Sequence, residues 1–342
     1  MNLNFQIIEP QSRGNFIQQL TELETRCRFF LNDEAAQSRC VTSVKVYLSD
    51  ISNQSKPFKK SNIYNLFGAE HVSIIGQPPL SGCKIALFIT TSNDPSRVIT
   101  SCFRLNEAEA ECCDAYEQTR ILFQKYVDAY STHYLHMPLN CMRTWIYVRD
   151  LDVNYDGVTT ARRDFFSDLG MDVNTHFISS TLVGGSCDDP RAFVAIDFLS
   201  VKGVREEDKL YLNADDVMQN THSKGYTFER GTRLDDGEYQ QFFISGTHSA
   251  DRHGNVVYSG DVARQTEHIL KNIDSLLSSG GSSLSDMRLL LVYLRDMSDY
   301  TLVNEIMKSH FPSSHYLILL ARILRPDWLV EIEGIAMKRV VS

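Results

Sequence analysis

No stretch of the sequence approaches the roughly 20 consecutive apolar residues that cross a bilayer, so a membrane-spanning helix is not expected. The opening segment, MNLNFQIIEPQSRGNFIQQL, lacks a basic stretch followed by an apolar run, which predicts no signal peptide and a cytoplasmic protein. Positive charge is scarce as well. With 34 Lys and Arg against 43 Asp and Glu, the formal net charge is −9, whereas nucleic-acid binders usually present a basic face. No CxxC pair occurs among Cys27, Cys40, Cys83, Cys102, Cys112, Cys113, Cys141 and Cys187, which argues against a zinc site. Without an export signal the thiols stay reduced, so these cysteines read as small buried hydrophobes or bystanders. Neither a metal nor a cofactor is expected.

What is present fits a globular protein. Hydrophobic residues make up 43% and charged residues 23% of the chain, an ordinary balance that excludes disordered and fibrous classes. Its 342 residues allow two or three domains.

The most informative feature is internal repetition. MRTWIYVRDLDVNYDGVTTARRDFF (142–166) and MRLLLVYLRDMSDYTLVNEIMKSHF (287–311) share a pattern. Setting Tyr147–Asp150 on Tyr293–Asp296 carries Tyr155 onto Tyr300 and Phe166 onto Phe311 after a one-residue slip. Upstream, Glu117-Gln118-Thr119 lies over Arg264-Gln265-Thr266; downstream, FVAIDFLSVK (193–202) lies over LVEIEGIAMK (329–338). A fainter copy is visible in VKVYLSDIS (44–52) and SGCKIALFITT (81–91). The chain therefore reads as a degenerate unit over 1–92, a second over 93–205, a connector over 206–225 and a third over 226–342. Two copies plus an unrelated N-terminal segment is the alternative.

Each unit has the order strand, long helix, strand, helix, strand. In the last, QQFFISGTHS (240–249) reads as a strand, and Asp261 caps the helix VARQTEHILKNIDSLLSSG before Gly280-Gly281. RLLLVYL, HYLILLARIL and WLVEIEGIAMK follow as strands, with TLVNEIMKSHF a helix stopped by Pro312. Helices on one face of a mixed sheet make an α+β unit. The other sheet face is still apolar, so three copies can cover one another around a pseudo-threefold axis.

Several separated segments of the last unit, among them SGDVARQTEHILKNIDSLLSSGGSSLSDM, VYLRDMSDYTLVNEIMKSHFP and WLVEIEGIAMK, resemble the Rid (YjgF/UK114) family over 245–338. The resemblance implies a chorismate-mutase-like fold and sites in clefts between neighbouring subunits of a trimer, here fused as a single-chain pseudo-trimer. The family's imine deaminases carry a Pro-Ala-Arg motif that grips a substrate carboxylate; Ser314-His315-Tyr316 stand in its place. Glu331, in the family's EIE-type strand, is retained. The ribonuclease activity attached to some members gains nothing from an acidic chain.

Over 140–338 the sequence is more closely similar to the chorismatases, relatives that remove the enolpyruvyl group of chorismate as pyruvate. The residues concerned are Arg143-Thr144-Trp145, Tyr155, Arg162-Arg163, Ser245-Gly246-Thr247-His248-Ser249, His253 and Gly260-Asp261. His248 stands where those enzymes have a small residue. The implied function is protonation of an enol ether in a cleft between the middle and last units, acting on chorismate or a related dicarboxylate. A divergent enamine or imine deaminase and a non-catalytic carboxylate-binding protein are the alternatives. A small-molecule carboxylate is the expected partner, with the chain a monomeric pseudo-trimer or a homo-oligomer.

Hydrolysing an enol ether needs a carboxylic acid of raised pKa, shielded from water. Glu331 fits, because its counterparts are Ala195 and roughly Ala86. A carboxylate required for folding would recur in every copy; a structural salt bridge remains the other reading. Glu333 on the same strand face matches Asp197, which favours a structural role. A dicarboxylate calls for arginines, and Arg143, Arg163 and Arg322 are the candidates, with solvated surface arginines the alternative. Arg162 reads as lying on the outer helix face. Tyr155, Tyr316, Gly246, His248 and His253 complete the substrate-binding set.

Overall fold

The computed structural model describes residues 1–131, 135–312 and 316–340. Its first segment runs β1 (Leu3–Ile8), α1 (Phe16–Ala36), β2 (Cys40–Leu48), α2 (Ile51–Lys59), α3 (Asn62–Phe67), β3 (Val72–Gly76) and β4 (Ile85–Ser92). The middle follows as β5 (Val98–Phe103), α4 (Glu107–Cys112), α5 (Ala115–Tyr130), α6 (Met137–Asn140), β6 (Cys141–Val148), α7 (Leu151–Asp168), β7 (Ser179–Gly184) and β8 (Val194–Val201). The last comprises β9 (Lys209–Leu212), β10 (Gly231–Asp235), β11 (Tyr239–His248), α8 (Val262–Ser279), β12 (Met287–Leu294), α9 (Tyr300–His310), β13 (Tyr316–Leu320) and β14 (Val330–Arg339).

Three mixed sheets share one topology. Their strand orders are β1-β4-β2-β3, β5-β8-β6-β7 and β11-β14-β12-β13, the last extended by β10 and β9 at its edge. The parallel pair in each is the one crossed by a helix, as β2 and β3 are by α2 and α3. The region read as a connector does more than connect: Lys209–Leu212 pairs antiparallel with β10. Its polar residues hid a short edge strand.

Local signals explain the elements. The Asp261 side chain accepts from the Arg264 amide at the start of α8. Val262, Thr266, Ile269, Ile273 and Leu276 then form its buried stripe. The helix closes at Gly280, with Gly281 at φ +84°. Among the described residues, no helix is long and apolar enough to cross a membrane.

Each sheet buries one face under its own helices, in three separate apolar clusters. The other faces meet in a fourth, which joins Phe88, Trp145, Leu291 and their neighbours from all three sheets. This shared core makes the chain an α+β pseudo-trimer of tandem units. Cys27, Cys141 and Cys187 are buried within these clusters.

The register confirms the sequence equivalences to the residue. Tyr47 lies opposite Ala86, Tyr147 opposite Ala195, and Tyr293 opposite Glu331. Two residues away on the same faces, Lys45 lies opposite Phe88, Trp145 opposite Asp197, and Leu291 opposite Glu333. These positions carry the contacts between units. Lys45 bonds Asp197 at 2.5 Å, and Arg104 joins it at 3.0 Å. Burial would raise the Asp197 pKa, but the two cations hold it at about 2.

Candidate active site

One pocket, enclosing about 120 Å³, lies where the middle and last units meet. Its floor is built from β14, which supplies Glu331, and from β11. Between Ile244 and Thr247 the register of β11 against β14 shifts, so Ser245 and Gly246 together face Glu333. This is a β-bulge. At Gly246 the missing side chain leaves room for the Glu331 carboxyl, because a Cβ there would push it aside. The middle unit contributes Ser180 and Leu182 from β7, and Tyr155 and Arg162 from α7. The segment leading into β10 adds Tyr226, Phe228 and Arg230, and the loop before β14 adds Arg325 and Trp328.

Glu331 is 6% exposed, and its carboxyl has no hydrogen bond or ion pair with any described residue. Burial, reinforced by the neighbouring charge of Glu333 and only partly offset by Arg230, raises its pKa to about 8. At neutral pH the group is therefore mainly a carboxylic acid, able to donate a proton into the pocket.

Three arginines line the same pocket. Arg162 is 5% exposed and Arg230 6%, and both guanidinium groups lie over the Phe228 ring, 5.8 and 5.4 Å from its centre. Arg162 donates to the Thr227 hydroxyl at 3.0 Å, and Arg230 to the Gln219 carbonyl. Arg325, at the rim, sits 5.3 Å from the Trp328 ring centre. None of the three forms a salt bridge to a described carboxylate. Burial lowers the pKa of Arg230 to about 10, opposed by nearby Tyr226 and Glu331. His248 stacks on Trp328 with ring centres 3.5 Å apart. Burial, then Arg230 and Arg325, push its pKa well down, so it stays neutral.

The structure thus brings together Glu331, Tyr155, Gly246 and His248 from the sequence-derived set. The other five candidates lie elsewhere, each for a definable reason. Arg143 is 1% exposed and is locked to Glu333, Thr181 and the Ile244 carbonyl. Trp145 and Tyr293 complete this network around Glu333, each at 2.9 Å, which gives that carboxylate the structural role its match with Asp197 suggested. Arg163 faces outward on α7 beside Asp164; one residue earlier, Arg162 falls on the buried stripe with Val158, Ala161 and Phe165. Reading Arg162 as the outer residue is corrected accordingly, since the apolar 158–161–165 spacing already marked its face.

His253 is an exposed turn residue whose carbonyl accepts from Gln219; its neighbour Gly254 lines the pocket instead. Arg322 lies past the end of β13, so strand alternation no longer fixes its direction. It pairs with Asp152 at a separate depression on the pseudo-threefold axis.

Tyr316 belongs to another cleft. In the parallel registers it pairs with Leu290 as Ser180 pairs with Thr144, and Ser180 lines the Glu331 pocket. The acid of one unit faces this strand of its neighbour, and β13 borders the first unit through Pro79 and Leu80, so the counterpart of the acid there is Ala86; Tyr316 hydrogen-bonds Asn304. Ser314 and His315 lie outside the described residues. Sequence reasoning also missed Arg230, Arg325, Phe228 and Trp328, which sit in loops and strand leads without periodic signal.

Comparison with known proteins agrees with this architecture. Residues 238–338 match the endoribonuclease L-PSP family model. The 3-aminoacrylate deaminase RutC of Acinetobacter baylyi is 35% identical over 97 residues, which span 28% of this chain and 76% of that protein. A chorismatase crystal structure superposes over 98% of both chains with a TM-score of 0.66, at 17% sequence identity. With its YjgF-like units in tandem and its C-terminal unit matched in both family pattern and sequence, the chain belongs to the Rid (YjgF/UK114, endoribonuclease L-PSP) family.

Proposed function

We propose that the protein is a chorismatase-like enzyme that releases the enolpyruvyl group of chorismate, or of a related cyclic dicarboxylate, as pyruvate. One observation carries this reading. A buried carboxylic acid with no partner shares a pocket with two buried arginines that have no carboxylate to neutralise them. Uncompensated buried charges are costly, and a dianionic ligand would offset them.

The chemistry follows from the groups present. Glu331 protonates the terminal CH₂ of the enol ether, leaving an oxocarbenium ion stabilised by the ether oxygen. Water adds to the ether-bearing carbon of that ion and returns a proton to Glu331. The resulting hemiketal collapses to pyruvate and the ring alcohol, so one water is consumed and no redox partner is needed. Arg162, Arg230 and Arg325 hold the carboxylates, while Trp328, His248 and Phe228 pack against the ring. Architecture shared with a chorismatase along the whole chain supports the reading at the level of fold.

A second reading is favoured by the identity to a 3-aminoacrylate deaminase. An enamine is likewise protonated on carbon, and water then displaces ammonia. That substrate has one carboxylate and no ring, whereas this pocket offers three arginines and aromatic walls. Incubating purified protein with chorismate and measuring pyruvate decides between them. Pyruvate is expected, and a yield no higher than that of Glu331→Gln overturns the proposal; ammonia release from enamines would favour the second reading.

A further inference from the structure

Behind the pocket wall lies a cluster that the proposed reaction does not use. His176 stands in the loop between α7 and β7, His222 in the segment before β10, and Glu229 just ahead of that strand. One donor atom from each lies within 4.8 Å of the other two. Glu229 Oε1 is 2.8 Å from His222 Nε2 and 3.5 Å from His176 Nδ1. Ligands about 2.0–2.2 Å from a tetrahedral zinc stand roughly 3.3 Å apart, near both separations from Glu229; the two imidazole nitrogens, within 4.8 Å of each other, would close on an ion by a turn of the half-exposed His176 ring.

Charge points the same way. Glu229 is 5% exposed, and neither lysine nor arginine forms an ion pair with it among the described residues. Its Oε1 also accepts the Phe177 amide at 2.8 Å, and an amide supplies no net positive charge. A buried carboxylate without a cation is costly. Two imidazole nitrogens and one carboxylate oxygen suit a divalent first-row ion, with the fourth position left for water.

We propose that His176, His222 and Glu229 form a binding site for a divalent transition metal of the zinc type, which fastens the 206–229 segment to the middle unit. Phe228 and Arg230, which flank Glu229, line the pocket, so the ion braces that wall from outside. The sequence-based expectation of no metal weighed cysteine spacing alone. These three ligands are scattered over 54 positions and form no spaced motif.

The test uses tag-free, chelator-stripped full-length protein, titrated with Zn²⁺ by calorimetry and with Co²⁺ by visible absorption. One equivalent is expected to bind, with a rise in Tm and a tetrahedral Co²⁺ spectrum. His176→Ala and His222→Ala should each weaken binding by more than the roughly tenfold that loss of a ligand's outer-shell partner typically costs. His176 is half-exposed, so its removal leaves the fold intact. The proposal is overturned if the wild-type protein binds no Zn²⁺, or if either variant binds it as tightly as wild type, which would place the ion elsewhere.

Discussion

At the level of single residues, the pocket turns on whether one carboxyl keeps its proton. The pKa of Glu331 is raised from 4.5 to about 8, so the acid form is present below that pH and lost above it. Turnover should therefore fall as pH rises through about 8, and Glu331→Gln should lower kcat by roughly 10²–10⁴-fold. Linkage gives a companion effect of known sign. The folded state holds this proton more tightly than the unfolded chain, so the contribution to stability is full below pH 4.5 and declines until about pH 8. Glu331→Gln escapes the decline. Its Tm should match wild type near pH 5 and exceed it at pH 9, by an amount worth roughly 3–5 kcal/mol. A variant less stable at both values would contradict this. The adjacent arginines give a second contrast: Arg162→Gln should raise KM about tenfold or more, through loss of a charge-assisted contact, while Arg163→Gln should leave KM unchanged. That single step along α7 shows what the sequence held. The 158–161–165 spacing marked the buried face, yet the paired arginines had to be turned by about 100° to be assigned correctly.

Among elements, β6, β11 and β14 are joined by the Arg143–Glu333 pair, which lies under the bulge at Ser245-Gly246. Arg143→Met would strand a buried carboxylate and should destabilise the protein by about 3–5 kcal/mol, measured by urea unfolding. The double variant Arg143→Met/Glu333→Gln should recover part of that loss; equal destabilisation would mean that the two groups act separately. The elements themselves were legible because their signals are local. Asp261, Gly280 and Pro312 punctuate the chain, and the unbroken apolar run of β12 marks a buried strand. Site membership was less legible, because a strand's neighbours across a unit boundary leave no trace in its own sequence. Tyr316 and Glu331 lie 15 positions apart, yet each faces a different unit. Arg230 carries no periodic cue, and only the folded chain sets it over Phe228.

For the whole molecule, the register leaves Ala86, Ala195 and Glu331 at equivalent places. Three clefts exist in principle, but the acid occurs in one. A tight-binding cyclic dicarboxylate should accordingly saturate at one equivalent per chain by calorimetry, and Arg230→Met should abolish that event. Three equivalents would refute the asymmetry. The repeat was readable because the core around the axis imposes the same tyrosine position on every copy. The specialisation was readable only where a charged residue replaced alanine.

The residues on the axis have one more effect. In an assembly of identical subunits every substitution appears three times, so a lysine at the Lys45 position would meet two others. A continuous chain installs it once, which allows Lys45 to face Asp197 and Arg143 to face Glu333. These unlike pairs work as addresses. They fix the rotational sense in which one unit follows the next, and units set in the opposite order would bring the wrong partner to Lys45 and to Arg143. The fused chain is thereby guarded against closing its units in the reverse order around the axis.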